Sequence, residues 1–277
     1  LQGKKIGKLG KLSVVLMTAL VGLSVILPGC SNNSLSGTIT EAGSTTVQPL
    51  AEELAQAFMD LNPDITITIQ GGGSSTGVKS AADGTVDIGA ASRELKDSEK
   101  TLGLVVHVLA RDGIALVTHP SQTVTNLTVE QIKQIYAGEI TNWSEVGGAD
   151  EEIDVVSREE GSGTRSAFEE MVMGEDAVIV DTAILQSSNG AVKTTVASDE
   201  NAIGFISFGY LDATVKALSV NGIAGTVENA KNATYPIVRP LLLLTKGEAT
   251  GIVKEFIDYC LSDAGQEIVG KDYITVN

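Results

Sequence analysis

Hydrophobic positions change period several times along the chain, and the changes mark the elements. Ile65, Ile67 and Ile69 alternate with Thr66 and Thr68, the two-residue period of a half-buried strand. Before them Val47, Leu50, Leu54, Phe58 and Leu61 recur three to four residues apart, which predicts a helix from about Thr46. Residues 38–40 predict a first strand, and apolar runs at 86–91, 104–109 and 114–118 predict three more. A helix is predicted over 128–136, closed by a turn at Ala137-Gly138. A second block then gives strands at 153–156, 202–206, 215–220 and 237–245, with helices at 165–171, 251–261 and 264–269. Residues 222–234 are small and polar and read as a loop. Strands that alternate with helices in this way predict an α/β fold.

The first thirty residues have a different pattern. Lys4, Lys5, Lys8 and Lys11 precede an uncharged apolar run over 12–27, and Leu27-Pro28-Gly29-Cys30 follows. A basic start, a short apolar run and a small residue before the cut describe a secretory signal over 1–29. The run is shorter than the roughly 20 residues that a spanning helix needs. A cysteine directly after Gly29 resembles a bacterial lipobox, which makes Cys30 the expected site of lipidation and residues 30–36 a lipidated cysteine with its tether. Cys260 is the only other cysteine, so a lipidated Cys30 leaves no disulfide to form.

Charge narrows the function. The chain has 19 basic and 35 acidic residues, and removal of the four signal lysines leaves 15 basic ones, a net of about −20. Nucleic-acid affinity rests on clustered Lys and Arg, so no nucleic-acid partner is expected. His107 and His119 are the only histidines, one inside an apolar strand and one in a turn before Pro120, and both read as structural. There is no Gly-x-Ser-x-Gly elbow and no zinc-ligand spacing, so neither an enzyme nor a metal site is expected. Trp143 reads as a surface or interlobe packing residue.

Three segments share one chemistry: Ala42-Gly43-Ser44-Thr45-Thr46, Gly71-Gly72-Gly73-Ser74-Ser75-Thr76-Gly77 and Glu160-Gly161-Ser162-Gly163-Thr164-Arg165. Each follows a predicted strand and opens a predicted helix. A helix start leaves N–H groups unpaired and carries about half a positive charge. Glycine admits a ligand close to the backbone, and Ser and Thr add hydroxyl donors. Such a turn holds an anion without lysines, which suits a very acidic chain. Ser and Thr also cap helices for their own sake, so one turn says little; three, with Arg158 before the last, point to an anion site. The second turn is not a Walker loop, because Val78 stands where its lysine belongs and Lys79 is one place late.

Read together, these segments resemble the phosphate-binding proteins of Pst-type ABC transporters. Asp87-Ile88-Gly89-Ala90-Ala91-Ser92-Arg93, Ser157-Arg158-Glu159-Glu160-Gly161-Ser162-Gly163-Thr164-Arg165, Tyr136-Ala137-Gly138-Glu139-Ile140-Thr141-Asn142-Trp143 and Tyr235-Pro236-Ile237-Val238-Arg239-Pro240-Leu241 carry the likeness, which covers nearly all of 35–277. The resemblance implies a two-lobed type 2 periplasmic-binding-protein fold with hinge crossings near 111–118 and 235–244. Lobe 1 is then discontinuous, 37–112 plus 240–277, and lobe 2 is 113–239. It implies a lipid-anchored, extracytoplasmic, monomeric receptor without cofactor, which passes inorganic phosphate to the permease and ATPase subunits of an ABC importer. Its phosphate-binding residues are Ser44, Thr45, Thr46, Ser74, Ser75, Ser92, Arg158, Ser162, Gly163 and Thr164. Within that set the resemblance gives the charged role to Arg158, with Glu160 where relatives have its acidic partner. Ser92 stands where well-known members have an aspartate that accepts the ligand's proton, and Arg93 is the expected compensation. Another oxyanion, or a sensory module on the same fold, remain the competing readings.

Overall fold

The computed structural model describes residues 35–277; the expected signal segment, the expected lipidation site Cys30 and positions 31–34 of the expected tether lie outside the described residues. The chain opens with β1 (Gly37–Gly43), α1 (Gln48–Leu61), β2 (Ile65–Gly71), α2 (Ser74–Asp83) and β3 (Ile88–Ala91). A long β4 (Leu104–Thr118) leads to β5 (Asn126–Leu127), α3 (Val129–Tyr136), β6 (Asp154–Arg158), α4 (Gly163–Phe168), β7 (Ile184–Gln186), α5 (Asn189–Ala197) and β8 (Ala202–Ser207). After β9 (Lys216–Ala217), β10 (Ser219–Val220) and α6 (Val227–Lys231), the chain returns through β11 (Val238–Lys246) and ends with α7 (Gly251–Leu261) and α8 (Asp263–Val269).

One nine-stranded sheet runs in the order β2-β1-β3-β11-β4-β8-β6-β7, with β9 also paired to β4. Its apolar side chains divide into separate cores. Ile39, Leu54, Phe58, Leu109, Leu243 and Phe256 meet in one. Ile114, Leu116, Trp143, Phe168, Phe205 and Ile237 meet in another. The change of core falls between Ala110 and Ile114 on β4, and between Ile237, just before β11, and Leu241 on it. These two strands pair antiparallel, with Asp112 opposite Arg239, so the passage between lobes is a two-stranded ribbon. The result is a mixed α/β, two-lobed architecture.

Several elements differ from the hydrophobic pattern. The strands expected at 104–109 and 114–118 are one strand of 15 residues. Arg111-Asp112 breaks the apolar run in the sequence, yet Asp112 is buried on an ion pair and the backbone continues extended. The run at 215–220 divides at Leu218, whose N–H bonds Leu116 O, so β9 faces β4 while β10 pairs with β5. Helix α4 starts at Gly163 and ends in a π-helical turn, Glu169–Met173. The expected loop contains α6, capped by the Thr226 hydroxyl. Trp143 lies neither on the surface nor between lobes: it is fully buried in the second core, and its indole N–H donates to Asn201 O at 2.9 Å. Its single donor is satisfied there, which lets the ring be buried whole.

One core residue is out of keeping. Glu41 is buried beside Ile39 on β1, and neither carboxylate oxygen has a hydrogen-bond partner. Burial, with the Glu52 charge nearby, raises its pKa from 4.5 to about 8. The folded chain therefore keeps a proton that the unfolded chain releases between those values. Stability must fall as pH rises through that window, by about 1.4 kcal/mol per unit from this group alone. In Glu41→Gln that contribution is absent. Urea midpoints at pH 5 and pH 8 should show the native protein losing more stability than the variant; equal losses would mean that Glu41 is ionised in the fold.

Candidate functional site

The site is built where strands end and helices begin. At the end of β1, a Cβ on Gly43 would stand 2.2 Å from Ala90 O and 2.8 Å from Gly77 Cα, so only glycine lets the first turn pack against β3 and α2. Ser44 Oγ then accepts from the Thr46 and Val47 amides and caps the turn into α1. After β2, Gly73 at φ 84° turns the chain into α2, which begins at Ser74. After β6, Gly161 at φ 89° does the same, and Ser162 Oγ caps α4 by accepting from Arg165 N at 3.3 Å. Glycine reaches positive φ without the Cβ clash that other residues meet. A fourth turn follows β7, where Ser188 Oγ accepts from Ala191 N and opens α5 at Asn189.

These starts converge. Thr46 Oγ1 lies 3.1 Å from Thr164 Oγ1, and Asn189 Nδ2 donates to it at 2.9 Å. Asn189 is oriented by Ser207 N, which donates to its Oδ1, so the amide NH2 is the end that faces Thr46. Ser92 N donates to Ser74 Oγ, and a Cβ on Gly163 would stand 2.1 Å from Ser74 Oγ and 2.6 Å from Ser92 Oγ. The head of α4 thus lies directly on the second turn. The amides of Gly163 and Thr164 lie in the first turn of α4, where no carbonyl of that helix can reach them. Ser75 N bonds Gly161 O, and Tyr210 OH donates to Thr45 O at 2.7 Å, which brings both lobes against the same spot.

Arg239, on β11, sits beneath this cluster. Its Nε and Nη2 donate to Asp112 Oδ2, Nη2 also to Thr46 Oγ1 at 3.1 Å, and Nη1 to Ser92 O and Oγ at 3.3 and 3.4 Å. The other Asp112 oxygen accepts from Ser207 Oγ and Phe208 N. Burial raises the Asp112 pKa, while the Arg239 charge and the hydrogen bonds from Arg239, Ser207 and Phe208 pull it down. The guanidinium stays protonated at any accessible pH and lies 2.9 Å from the carboxylate.

Of the residues expected from sequence, Thr46, Ser74, Ser92, Gly163 and Thr164 come together. Ser44 and Ser162 stand behind them as caps. Thr45 and Ser75 are only half-buried, and the Ser75 hydroxyl accepts from Arg93. Arg158 is almost fully buried, with Nε on Gln186 O and Nη2 on Ser187 O and Glu159. Its Nη1 makes no hydrogen bond among the described residues, and its charge is near enough to work against that of Arg239. Two expectations are corrected. The acidic partner of Arg158 is Glu159 at 3.0 Å, whereas Glu160 is exposed beyond it. Arg93 does not serve Ser92: its guanidinium is clamped by Glu99, and Arg239 takes the place beside Ser92.

Sequence reasoning did not nominate Arg239, Asp112, Asn189 or Ser207. Arg239 was visible only as part of a recurrent motif. Helix α5 went unread because Asn189-Gly190-Ala191-Val192-Lys193-Thr194-Thr195 has little amphipathic contrast; the Ser187-Ser188-Asn189-Gly190 turn after a strand was the available signal.

The comparisons agree with this architecture. The PBP superfamily domain matches residues 31–264. The phosphate-binding protein PstS of Bacillus subtilis (strain 168) is 35% identical over 96% of this chain and 95% of its own length. The chain belongs to the Pst-type phosphate-binding proteins. A family structure from Clostridium perfringens, described as a phosphate ABC transporter substrate-binding protein with bound phosphate, is 46% identical and superposes with a TM-score of 0.85 over 87% of this chain and all of the other. The phosphate transport receptor of Vibrio cholerae is 38% identical, with a TM-score of 0.72 over 86% of this chain and all of the other. The family is one of transport receptors, not of enzymes.

The close approach at Gly163 gives a direct test. Gly163→Ala puts a methyl group into Ser74 and Ser92, and separation of the two lobes is what relieves the clash. Titration calorimetry should show affinity for a tetrahedral oxyanion at least about 10-fold lower, each 1.4 kcal/mol being a factor of ten. The melting temperature should move by only a few degrees. Unchanged affinity would mean that α4 does not close on the second turn when ligand binds.

Proposed function

We propose that this protein captures inorganic phosphate between its lobes, outside the cytoplasm, and delivers it to an ABC importer whose permease and ATPase are separate subunits. The observation that carries the reading is the convergence on one small region of helix starts and hydroxyls from both lobes, with two buried arginines beside them. Thr46, Ser74, Ser92, Gly163 and Thr164 are the contacts in this reading. Arg158 supplies charge and a free Nη1 donor, and Ser44 and Ser162 hold the turns. Thr45 and Ser75 bring their backbones to the rim. Hydrogen bonds to a charged group contribute roughly 1.5–3 kcal/mol each, so a few of them, less the cost of closure, support micromolar or tighter binding.

The lobe limits in this reading are 37–112 with 240–277, and 113–239, which suits the change of core along β4 and β11. The receptor acts as a monomer, held to the outer face of the cell membrane through lipid on Cys30. The Leu27-Pro28-Gly29-Cys30 sequence supports that anchor, and no helix among the described residues is long and apolar enough to cross a membrane.

Calorimetric titration of phosphate into the chain lacking residues 1–29 tests the function. Binding at micromolar or lower Kd is expected, with a loss of about 100-fold or more in Arg158→Ala, the equivalent of one or two charge-assisted hydrogen bonds. Absence of phosphate binding at every pH would sink the assignment. For the anchor, Cys30→Ser should move the expressed protein from the membrane fraction to the soluble one.

A further inference from the structure

Beyond α8 the chain runs across the ribbon that joins the lobes. Tyr273 N donates to Val269 O at the end of α8, so the segment starts out rooted in the first core. Ile274 then pairs antiparallel with Arg111 on β4: Arg111 N donates to Ile274 O and Ile274 N to Arg111 O, both at 2.9 Å. Arg111 also stands opposite Pro240 on β11. Its two backbone groups go to Ile274, so Pro240, which has no N–H, leaves no acceptor waiting. At this level the ribbon is three strands wide. Gln266, almost wholly buried, ties the segment down again: its Nε2 donates to Leu109 O and Cys260 O, and its Oε1 accepts from Val276 N.

The side chains of the two neighbours part. Tyr273 belongs to the core of Leu109 and Phe256, whereas Ile274 belongs to the core of Ile114 and Ile237. Consecutive Cα atoms lie about 3.8 Å apart, so the two cores cannot separate at this point unless one side chain comes out into water. Tyr273 also reaches the second lobe itself. A Cβ on Gly209 would stand 2.1 Å from its hydroxyl and 2.5 Å from Cζ, and the Gly209 backbone is not left-handed, so the glycine serves this contact. Gly209 lies in the short 3-10 turn Phe208–Tyr210, which brings the Phe208 amide to Asp112 and the Tyr210 hydroxyl to Thr45 O. The Tyr273 ring thus backs the turn that reaches from the second lobe to the first turn of the site.

We propose that Tyr273–Ile274 is a third crossing between the lobes, with Tyr273 and Ile274 positioning residues that hold the hinge in its closed setting and slow the release of phosphate. This rests on the phosphate-receptor reading. When the lobes part about β4 and β11, the strap beside them must give up either the Gly209 contact or the seat of Ile274. Opening therefore uncovers apolar surface that closure covers again. Affinity among variants of one site changes mainly through the off-rate, and that is where the strap acts.

Stopped-flow release of phosphate from the chain lacking residues 1–29 tests the strap. Tyr273→Ala and Ile274→Ala should each raise koff at least about 5-fold while kon stays within about 3-fold of the native value. Ile274→Val, which keeps the seat filled, should behave as the native chain does. Gly209→Ala pushes on Tyr273 from the other lobe; it should raise koff in the native chain and add nothing in Tyr273→Ala, since the two act through one contact. Small-angle scattering without ligand should show the alanine variants more open than the native chain. A segment that only supports the fold would lower the melting temperature and the binding-competent fraction and leave koff native. That result, or additive effects of Gly209→Ala and Tyr273→Ala, would overturn the proposal. A native chain that binds no phosphate would count against the receptor function itself, and the scattering comparison would then decide the strap, equal profiles ruling it out. If the Tyr273 or Ile274 variants do not fold, as circular dichroism would show, koff in Gly209→Ala decides alone.

Discussion

The Arg239–Asp112 ion pair occupies the stretch of β4 and β11 where one core gives way to the other. Both residues lie on the strands that pass between lobes, directly opposite each other, and both are almost wholly buried. A buried pair gives little net stability against an apolar replacement, because two charges must leave water. Its value here is geometric. The carboxylate reaches Ser207 and Phe208 at the end of β8, and the guanidinium reaches Thr46 and Ser92 at the ends of β1 and β3. A single pair thus ties the hinge to the lining contributed by each lobe. Removal of one partner would leave a charge without its counter-ion, a cost of about 3–5 kcal/mol. The crossing strands therefore carry the positional information for the site, and the lobes hold its donors.

The donors answer a second constraint, the acidity of the chain. With 35 acidic residues against 19 basic ones, the long-range field of the protein repels anions. That field is screened within about 8 Å at physiological ionic strength. Inside the site the nearest sources are the starts of α1, α2, α4 and α5, each the positive end of a helix at the end of a strand. Two buried arginines, each with its acidic partner, add local charge that salt screens much less than it does at the surface. Local dipoles and buried charge act at contact distance, where net charge has little say. Arg158 shows how the charge is held: two of its nitrogens are fixed on backbone carbonyls and Glu159, so the third keeps a constant direction.

How much of this was legible in the sequence follows from the range of each interaction. The turns could be read because their chemistry is local. A strand end, a glycine at positive φ and a Ser or Thr cap lie within six residues of one another, and Ser44, Gly73 and Ser162 serve as that pattern implies. The α/β alternation was legible for the same reason. Arg239, Asp112, Asn189 and Ser207 were not, because their meaning is their pairing across 95 to 193 positions of chain. Asp112 even misled, since a charge inside an apolar run looks like a strand end until its partner is known. Glu159 and Glu160 are neighbours of equal chemistry, and only the backbone direction after β6 decides which one meets Arg158.

The contacts that hold the lobes together across the site are few and polar. Thr46 with Thr164, Thr46 with Asn189, Ser75 N with Gly161 O and Tyr210 OH with Thr45 O join the bonds that Arg239 gives to Thr46 and Ser92 around the first and second turns. Each contributes about 0.5–1.5 kcal/mol net, because the open form gives the same groups to water. The apolar cores lie mostly on either side of the ribbon, with Ile274 of the C-terminal segment packed into the second one. An anion that touches both faces adds its own contacts to these and favours the closed form. A ligand shifts such an equilibrium only by its differential affinity for the two states. An anion in contact with the first turn alone gains from one lobe, whereas one that also meets the Gly163 and Thr164 amides gains from both and binds the closed form far better. The close packing of Gly163 on Ser74 makes the closed state available only to ligands small enough for that gap, so size and charge are read in the same step.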